Sequence, residues 1–194
     1  MLEVIQRIDR ELVLAVNHLH TPAWDAVMVF ASNRYVWIPT YVLLIGLLVD
    51  LYERRALLLL PLLVAAVSLA DSVTSRLFKP FFARLRPCHD PALASLLHLP
   101  DGCGGQFGFL SSHSANSMAL AVFLLLVLPR RRFHGIKGWA FMWAVLLSYS
   151  RIYLAAHYLT DVVGGALLGG LLGALAAWLF RRWSTYQPLG ISRS

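Results

Sequence analysis

The chain has 194 residues, of which 58% are hydrophobic and 14% are charged, and its mean hydropathy is +0.64. Soluble chains carry about 25% charged residues, so this composition excludes an ordinary soluble domain and leaves room for one compact membrane bundle. The net charge of +7 could indicate nucleic-acid binding. The basic residues instead lie at the ends of apolar runs, without interleaved aromatic residues, so we expect no nucleic-acid partner.

The first 32 residues predict helices that differ from the rest of the chain. Residues 2–19 have an amphipathic pattern, typical of a helix that lies in the membrane interface. A second short helix is expected around Trp24 to Ala31, and it is too short to cross about 30 Å of hydrocarbon. Whether residues 22–32 span, re-enter or lie in the interface stays open.

Five longer apolar runs predict five transmembrane helices. In chain order they cover residues 35–51, 56–78, 112–129, 136–150 and 159–180. The expected fold class is therefore all-α, a polytopic membrane helix bundle preceded by an amphipathic interfacial helix. We expect one integral membrane domain over residues 1–194, with the catalytic bundle in residues 34–181.

Basic residues form three clusters, and the predicted spans place all three on the same side of the membrane. The clusters are Arg54-Arg55, Arg130-Arg131-Arg132 with Lys137, and Arg181-Arg182 with Arg193. Cytoplasmic loops are enriched in Lys and Arg, so this side is expected to be the cytoplasm. The loop between the second and third spans and the junction between the fourth and fifth then meet on the extracytoplasmic side.

Three polar segments meet on that extracytoplasmic side. The segment between the fourth and fifth spans contains Arg151, His157 and Asp161. The last two are four residues apart, so we expect them to share one face of a helix. A carboxylate there can hold one ring nitrogen of the histidine and leave the other as a free base or nucleophile. Ionisable groups at bilayer depth are rarely without a function, although an interfacial Arg with a capped His is the alternative.

The other two segments offer groups that bind anions. The first has three cations, Lys79, Arg84 and Arg86, which either contact an anionic partner or extend towards lipid headgroups. The second, Ser111-Ser112-His113, lies at a predicted helix start, where serines serve as caps but free amides also bind phosphate. No Cys, His or acidic set has metal-ligand spacing, so we expect a phosphoryl-transfer site with no metal or other cofactor.

The spacing of these groups resembles the type 2 phosphatidic acid phosphatase superfamily of membrane lipid phosphatases. That family is marked by K-x6-R-P, P-S-G-H and S-R-x5-H-x3-D. The corresponding residues here are Lys79-x6-Arg86-Pro87, Ser111-Ser112-His113 and Ser150-Arg151-x5-His157-x3-Asp161. The outer two motifs match in full. The middle motif has Leu110 for Pro and Ser112 for Gly, which affects the expected backbone geometry of that loop more than its chemistry.

The resemblance implies a role for each of these residues. His157 is the expected nucleophile that forms a phosphohistidine, Asp161 orients it, and His113 protonates the leaving group. The residues expected to hold the phosphoryl oxygens are Lys79, Arg86, Ser111, Ser112 and Arg151. The implied protein is a metal-independent hydrolase of lipid phosphates, and its expected partners are its substrate and the membrane lipids. The small size of the chain favours a bacterial protein, and we expect it in the inner membrane.

Several alternatives stay open at this point. Undecaprenyl diphosphate, used in cell wall biogenesis, is the first expected substrate, and phosphatidylglycerol phosphate and lipid A are competitors. A non-catalytic transporter or scaffold is the alternative of another class. The sequence does not give the oligomeric state or a preference for monophosphate or diphosphate. Cys88 and Cys103, the only two cysteines, lie in the extracytoplasmic loop and are expected to form a disulfide.

Overall fold

The structure is a computed structural model that describes residues 2–129 and 131–184, so Arg130 and Arg193 of the basic clusters lie outside the described part. Within these residues the chain is helical and contains no β-strand, only one bridge between Leu85 and Phe107. The helices are α1 Leu2–Asn17, α2 Pro22–Ser32, α3 Ile38–Tyr52, α4 Ala56–Ser72, α5 Lys79–Phe82, α6 Ser112–Val127, α7 His134–Tyr153 and α8 Leu159–Trp183. The predicted all-α class is confirmed.

Helices α3, α4, α6, α7 and α8 correspond to the five predicted spans. By length and composition, the apolar stretch Ile38–Phe82 and helix α8 are long enough to cross a membrane, whereas α6 is a shorter apolar helix. A 3-10 turn at Glu53–Arg55 separates α3 from α4, and a π-helical segment, Val73–Phe78, joins α4 to α5. The protein is therefore a membrane helix bundle.

The centre of the bundle is the contact between α6 and α8, which pack backbone to backbone. Gly165, Gly169 and Gly173 lie one turn apart on α8, and a Cβ atom at any of them would collide with a backbone carbonyl oxygen of α6 or its N-cap. Small residues at this spacing allow two membrane helices to approach closely. The three glycines therefore allow the close approach of α8 to α6.

One end of the bundle carries the basic clusters. The Tyr52 hydroxyl at the end of α3 donates to the Val127 carbonyl at the end of α6, with a distance of 2.7 Å. The Tyr52 ring also packs edge-on against Phe180 near the end of α8, with ring centroids 5.4 Å apart. The ends of α3, α6 and α8 therefore meet here.

Helix α1 lies at the opposite end, where it ties the long loop to the bundle. The buried side chain of Asn17 donates to the carbonyls of His98 and Tyr153, both at 2.8 Å, and accepts the His98 amide. His98 Nε2 lies 2.8 Å from Asp25 Oδ2 on α2, because the loop folds back over the N-terminal helices. The predicted Cys88–Cys103 disulfide closes this loop.

Candidate active site

The polar groups singled out in the sequence are brought together at the end of the bundle that carries α1 and the loop. Lys79 begins α5, His113 lies in the first turn of α6, and Arg151 lies in the last turn of α7. His157 lies in the short turn between α7 and α8. Five separate parts of the chain thus contribute residues to the site. The α4–α5 segment, the long loop and helices α6, α7 and α8 all reach this end of the bundle.

His157 and Asp161 form the buried centre of the site. Their exposed fractions are 1% and 0%, and His157 Nδ1 lies 3.6 Å from Asp161 Oδ2. The same carboxylate oxygen accepts the Tyr158 amide at 3.0 Å, so Asp161 also caps the first turn of its own helix. The cap fixes the carboxylate beside the imidazole, and the second ring nitrogen is left for another partner.

The environment of His157 favours the neutral imidazole. Burial, together with the positive charges of Arg86, Arg151 and Lys79, holds the pKa of His157 well below its usual range. Because the pKa is lowered, the ring stays neutral at neutral pH and keeps the lone pair that a nucleophile needs.

Lys79 and Ser112 contact each other across the site. Lys79 Nζ donates to Ser112 Oγ at 3.1 Å, and Thr74 Oγ1 lies 2.8 Å from the same oxygen. Thr74 comes from the π-helical segment, where the wider turn brings Thr74, Ser75 and Lys79 towards the start of α6. Ser112, which replaces the glycine of the family motif, therefore contributes a hydroxyl beside the cation.

Ser111 and Arg151 have structural partners as well as a place in the site. Ser111 is the N-cap of α6, and its buried hydroxyl accepts the Ser114 amide. Its backbone amide donates to the Asp161 carbonyl at 3.0 Å, which joins the starts of α6 and α8. Arg151 donates through Nη1 to Ser32 of α2, while its Nε is buried with no hydrogen-bond partner. An unpaired donor on Arg151 is suited to an anion.

Sequence reasoning missed three residues around this centre. The guanidinium of Arg84 donates to Asp161 Oδ1 at 2.7 Å and to Asp9 Oδ2 at 2.6 Å. In the sequence, Arg84 is one of the three cations of the Lys79–Arg86 segment, and Asp9 is one of several charged residues in an amphipathic pattern. Gly108 closes the site on another side, where a Cβ would come within 3.1 Å of Asp161 Oδ2 and 3.2 Å of Arg86 Cγ.

A mostly apolar groove of about 380 Å³ leads away from His113 and Ser112. It runs between α3, α4, α6 and α7. Its lining residues include Leu44, Leu63, Leu120, Trp143 and Leu147. The groove offers an apolar surface next to groups that bind anions, which is the pairing that an amphiphile with a charged head requires.

Comparison with known proteins agrees with this geometry. Residues 56–185 match the PAP2 superfamily. A lipid A 4'-phosphatase of Bacteroides thetaiotaomicron is 36% identical over 183 residues, which cover 93% of this chain and 78% of that protein. An undecaprenyl-diphosphatase of Sulfolobus acidocaldarius is 29% identical over 175 residues, which cover 86% of this chain and 75% of that protein.

A solved structure is also similar. The crystal structure of a transmembrane PAP2-type phosphatidylglycerolphosphate phosphatase from Bacillus subtilis superposes with a TM-score of 0.69 at 26% identity. The match covers 95% of this chain and 90% of that one. The same bundle therefore supports phosphatases whose named lipid substrates differ.

Proposed function

This chain belongs to the PAP2 superfamily and is a membrane lipid phosphatase, and we propose that it transfers the phosphate of its substrate to His157 before releasing it to water. The observation that carries this proposal is the buried His157–Asp161 pair, which lies under the influence of Arg86, Arg151 and Lys79. Cations around a transferring phosphoryl group stabilise the charge that develops on its oxygens.

In the proposed first step, the Nε2 lone pair of His157 attacks phosphorus. The bond between phosphorus and the leaving oxygen breaks, and His113 donates a proton to that oxygen. Asp161 faces Nδ1 and offsets the positive charge of the phosphorylated ring. The Lys79 ammonium and the unpaired Nε of Arg151 are available to hold the phosphoryl oxygens.

In the proposed second step, His113 acts in the opposite direction. Having lost its proton, it accepts one from a water molecule, and the resulting hydroxide attacks phosphorus. The phosphorus–nitrogen bond breaks, and inorganic phosphate and neutral His157 are regenerated. No step uses a metal ion, so EDTA should leave turnover unchanged.

We assign the 4'-phosphate of lipid A as the first candidate substrate. The reason is that a relative named lipid A 4'-phosphatase is 36% identical over almost the whole chain. Undecaprenyl diphosphate, the first choice from the sequence alone, is the second candidate and is supported by a 29% identical relative. The groove beside His113 supports both, since either lipid needs an apolar surface next to the phosphate.

We further propose that the site faces the extracytoplasmic side of a bacterial inner membrane. The support is the charge distribution: Arg54 and Arg55 follow α3, Arg131 and Arg132 precede α7, and Arg181 and Arg182 end α8. These residues lie at the end of the bundle opposite the site. Their excess favours the cytoplasm for that end.

The test is phosphate release by purified protein in detergent from lipid A, undecaprenyl diphosphate and phosphatidylglycerol phosphate. His157→Ala should abolish turnover on every substrate that the wild type hydrolyses, because it removes the ring nitrogen that attacks phosphorus in the proposed mechanism. His113→Ala should lower turnover by about 10²-fold or more. His134→Ala is the matched control, since His134 is exposed at the other end of α7. Turnover by His157→Ala within a few-fold of the wild type would refute the phosphohistidine mechanism.

A further inference from the structure

Helix α1 buries a stripe of three residues that includes a carboxylate. Asp9, Val13 and Asn17 are spaced four apart and are 1%, 0% and 0% exposed, whereas Val4 and Ile8 are about half exposed at 53% and 48%. An amphipathic helix in an interface normally buries its apolar face and leaves its charges in water. A buried carboxylate is costly unless it is paired, so the partners of Asp9 explain why α1 turns this face inwards.

Asp9 caps the start of α8 from outside that helix. Its Oδ1 accepts the Thr160 amide at 3.1 Å, and its Oδ2 accepts the Thr160 hydroxyl. Thr160 lies in the first turn of α8, immediately before Asp161. A carboxylate at this position satisfies a free amide and also interacts favourably with the helix dipole.

Arg84 connects this cap to the catalytic carboxylate. Its Nη2 donates to Asp9 at 2.6 Å, and its Nη1 donates to Asp161 Oδ1 at 2.7 Å. The guanidinium also packs on the Tyr158 ring, with Cζ 4.3 Å from the ring centroid. The planar fork of an arginine can bridge two carboxylates in this way, which a lysine ammonium cannot reproduce with the same geometry.

The bridge determines both the orientation and the effective charge of Asp161. Arg84 holds Oδ1, and the Tyr158 amide holds Oδ2, so the carboxylate is fixed with Oδ2 towards His157. The carboxylates of Asp9 and Asp161 share the one guanidinium of Arg84, so the three side chains together carry a net charge of −1. Without Asp9, the whole charge of Arg84 would act on Asp161, and less of the carboxylate charge would be left to stabilise a phosphorylated His157.

We infer that Asp9 and Arg84 are positioning residues of the catalytic site, and that the buried face of α1 holds Asp161 in place through them. The inference rests on the proposed phosphohistidine mechanism. It also assigns a role to a helix that lies outside residues 56–185, the part of the chain that matches the superfamily.

The test compares Asp9→Asn with Glu11→Gln. The first change removes the charge of Asp9 but keeps an oxygen that can accept the Thr160 amide. The second removes an exposed carboxylate from the same helix and is the matched control. We expect kcat of Asp9→Asn to fall on the order of 10-fold with KM within about twofold, since Asp9 is one contact removed from Asp161. Glu11→Gln should match the wild type. Turnover is expressed per mole of monodisperse protein. It is measured with the lipid phosphate that the wild type hydrolyses best.

A double-mutant cycle separates this role from a purely structural one. If Asp9 acts through Arg84, Asp9→Asn should have almost no further effect on kcat in an Arg84→Gln background. A full additional loss in that background would mean that Asp9 supports α8 independently, and it would overturn the inference. A rise in KM at unchanged kcat for Arg84→Gln would make Arg84 a substrate-binding residue and would also overturn it.

Arg84→Lys provides a second route if Asp9→Asn does not give monodisperse protein. It keeps the charge but cannot bridge both carboxylates, so the same loss of kcat at unchanged KM is expected, and a wild-type kcat would overturn the inference. Wild-type protein that releases no phosphate from any of the lipids would refute the proposed function and this inference with it. Active wild type with Asp9→Asn equal to Glu11→Gln would overturn the inference alone.

Discussion

Two neighbouring glycines of α8 provide a direct test of the helix packing beneath the proposed active site. A Cβ built on Gly169 would collide with the Ala115 carbonyl oxygen and would lie 2.7 Å from its carbonyl carbon. A Cβ on Gly170 would meet only the side chains of Met118 and Val122, both at 3.8 Å, which is an ordinary contact distance. Gly169→Ala should therefore separate α6 from α8, whereas Gly170→Ala should be accommodated.

The comparison isolates the cost of packing, because each change replaces a glycine inside the same helix by alanine. The gain in helix propensity, about 1 kcal/mol, is common to both variants and cancels in their difference. Inserting an atom into a packed contact typically costs about 1–3 kcal/mol, and the neighbour here is backbone, which cannot rotate away. At about 2–4 °C per kcal/mol for a chain of this size, Gly169→Ala should melt about 2–12 °C below Gly170→Ala.

The assay is thermal unfolding of the two variants and the wild type in the same detergent, followed by phosphate release below the transition. Gly170→Ala should melt at or above the wild type. Gly169→Ala should also lose turnover, since Ala115 lies two residues after His113 on α6. Equal melting temperatures for the two variants would show that α6 and α8 are not in backbone contact.

Two further predictions concern the loop and the orientation of the bundle. Replacing Cys88 and Cys103 by serine should lower stability by about 3 kcal/mol, measured by thermal unfolding, because the disulfide restricts the unfolded loop; an unchanged melting temperature would contradict this. In intact cells, cysteines introduced at Ile5 and Ser95 should be labelled by an impermeant reagent and one at Arg132 should not. Labelling at Arg132 but not at Ser95 would mean that the protein has the opposite orientation in the membrane. Labelling at Ser95 alone would mean that the N-terminal segment adds a sixth span.

The sequence was sufficient for the parts of the structure that depend on local or repeated patterns. The five bundle helices follow from long apolar runs, and glycines spaced one turn apart on α8 favour its close packing against a neighbouring helix, which the structure identifies as α6. The proximity of His157 and Asp161 could also be predicted, but the expected geometry was wrong. His157 lies in the turn before α8 and not on a face of that helix, and Asp161 meets it because its side chain turns back to cap the first turn of α8.

The partners of the Asp161 carboxylate could not be found in this way. Arg84 lies 75 residues from Asp9 and 77 from Asp161 along the chain, so no local spacing links the three residues. A single aspartate in an amphipathic helix looks like any other solvated charge until the fold shows which face is buried. The contact between His98 and Asp25 was missed for the same reason, since 73 residues separate them.

The buried stripe of α1 changes how the N-terminal segment should be understood. If α1 only anchored the protein to the membrane surface, its apolar residues would be sufficient, and a buried carboxylate would add cost without benefit. Instead Asp9 joins Thr160 at the start of α8, and Asn17 joins Tyr153 at the end of α7. These two contacts lie on either side of the turn that carries His157. Helix α1 therefore holds that turn at both ends, and its position on the bundle is coupled to the geometry of the proposed nucleophile.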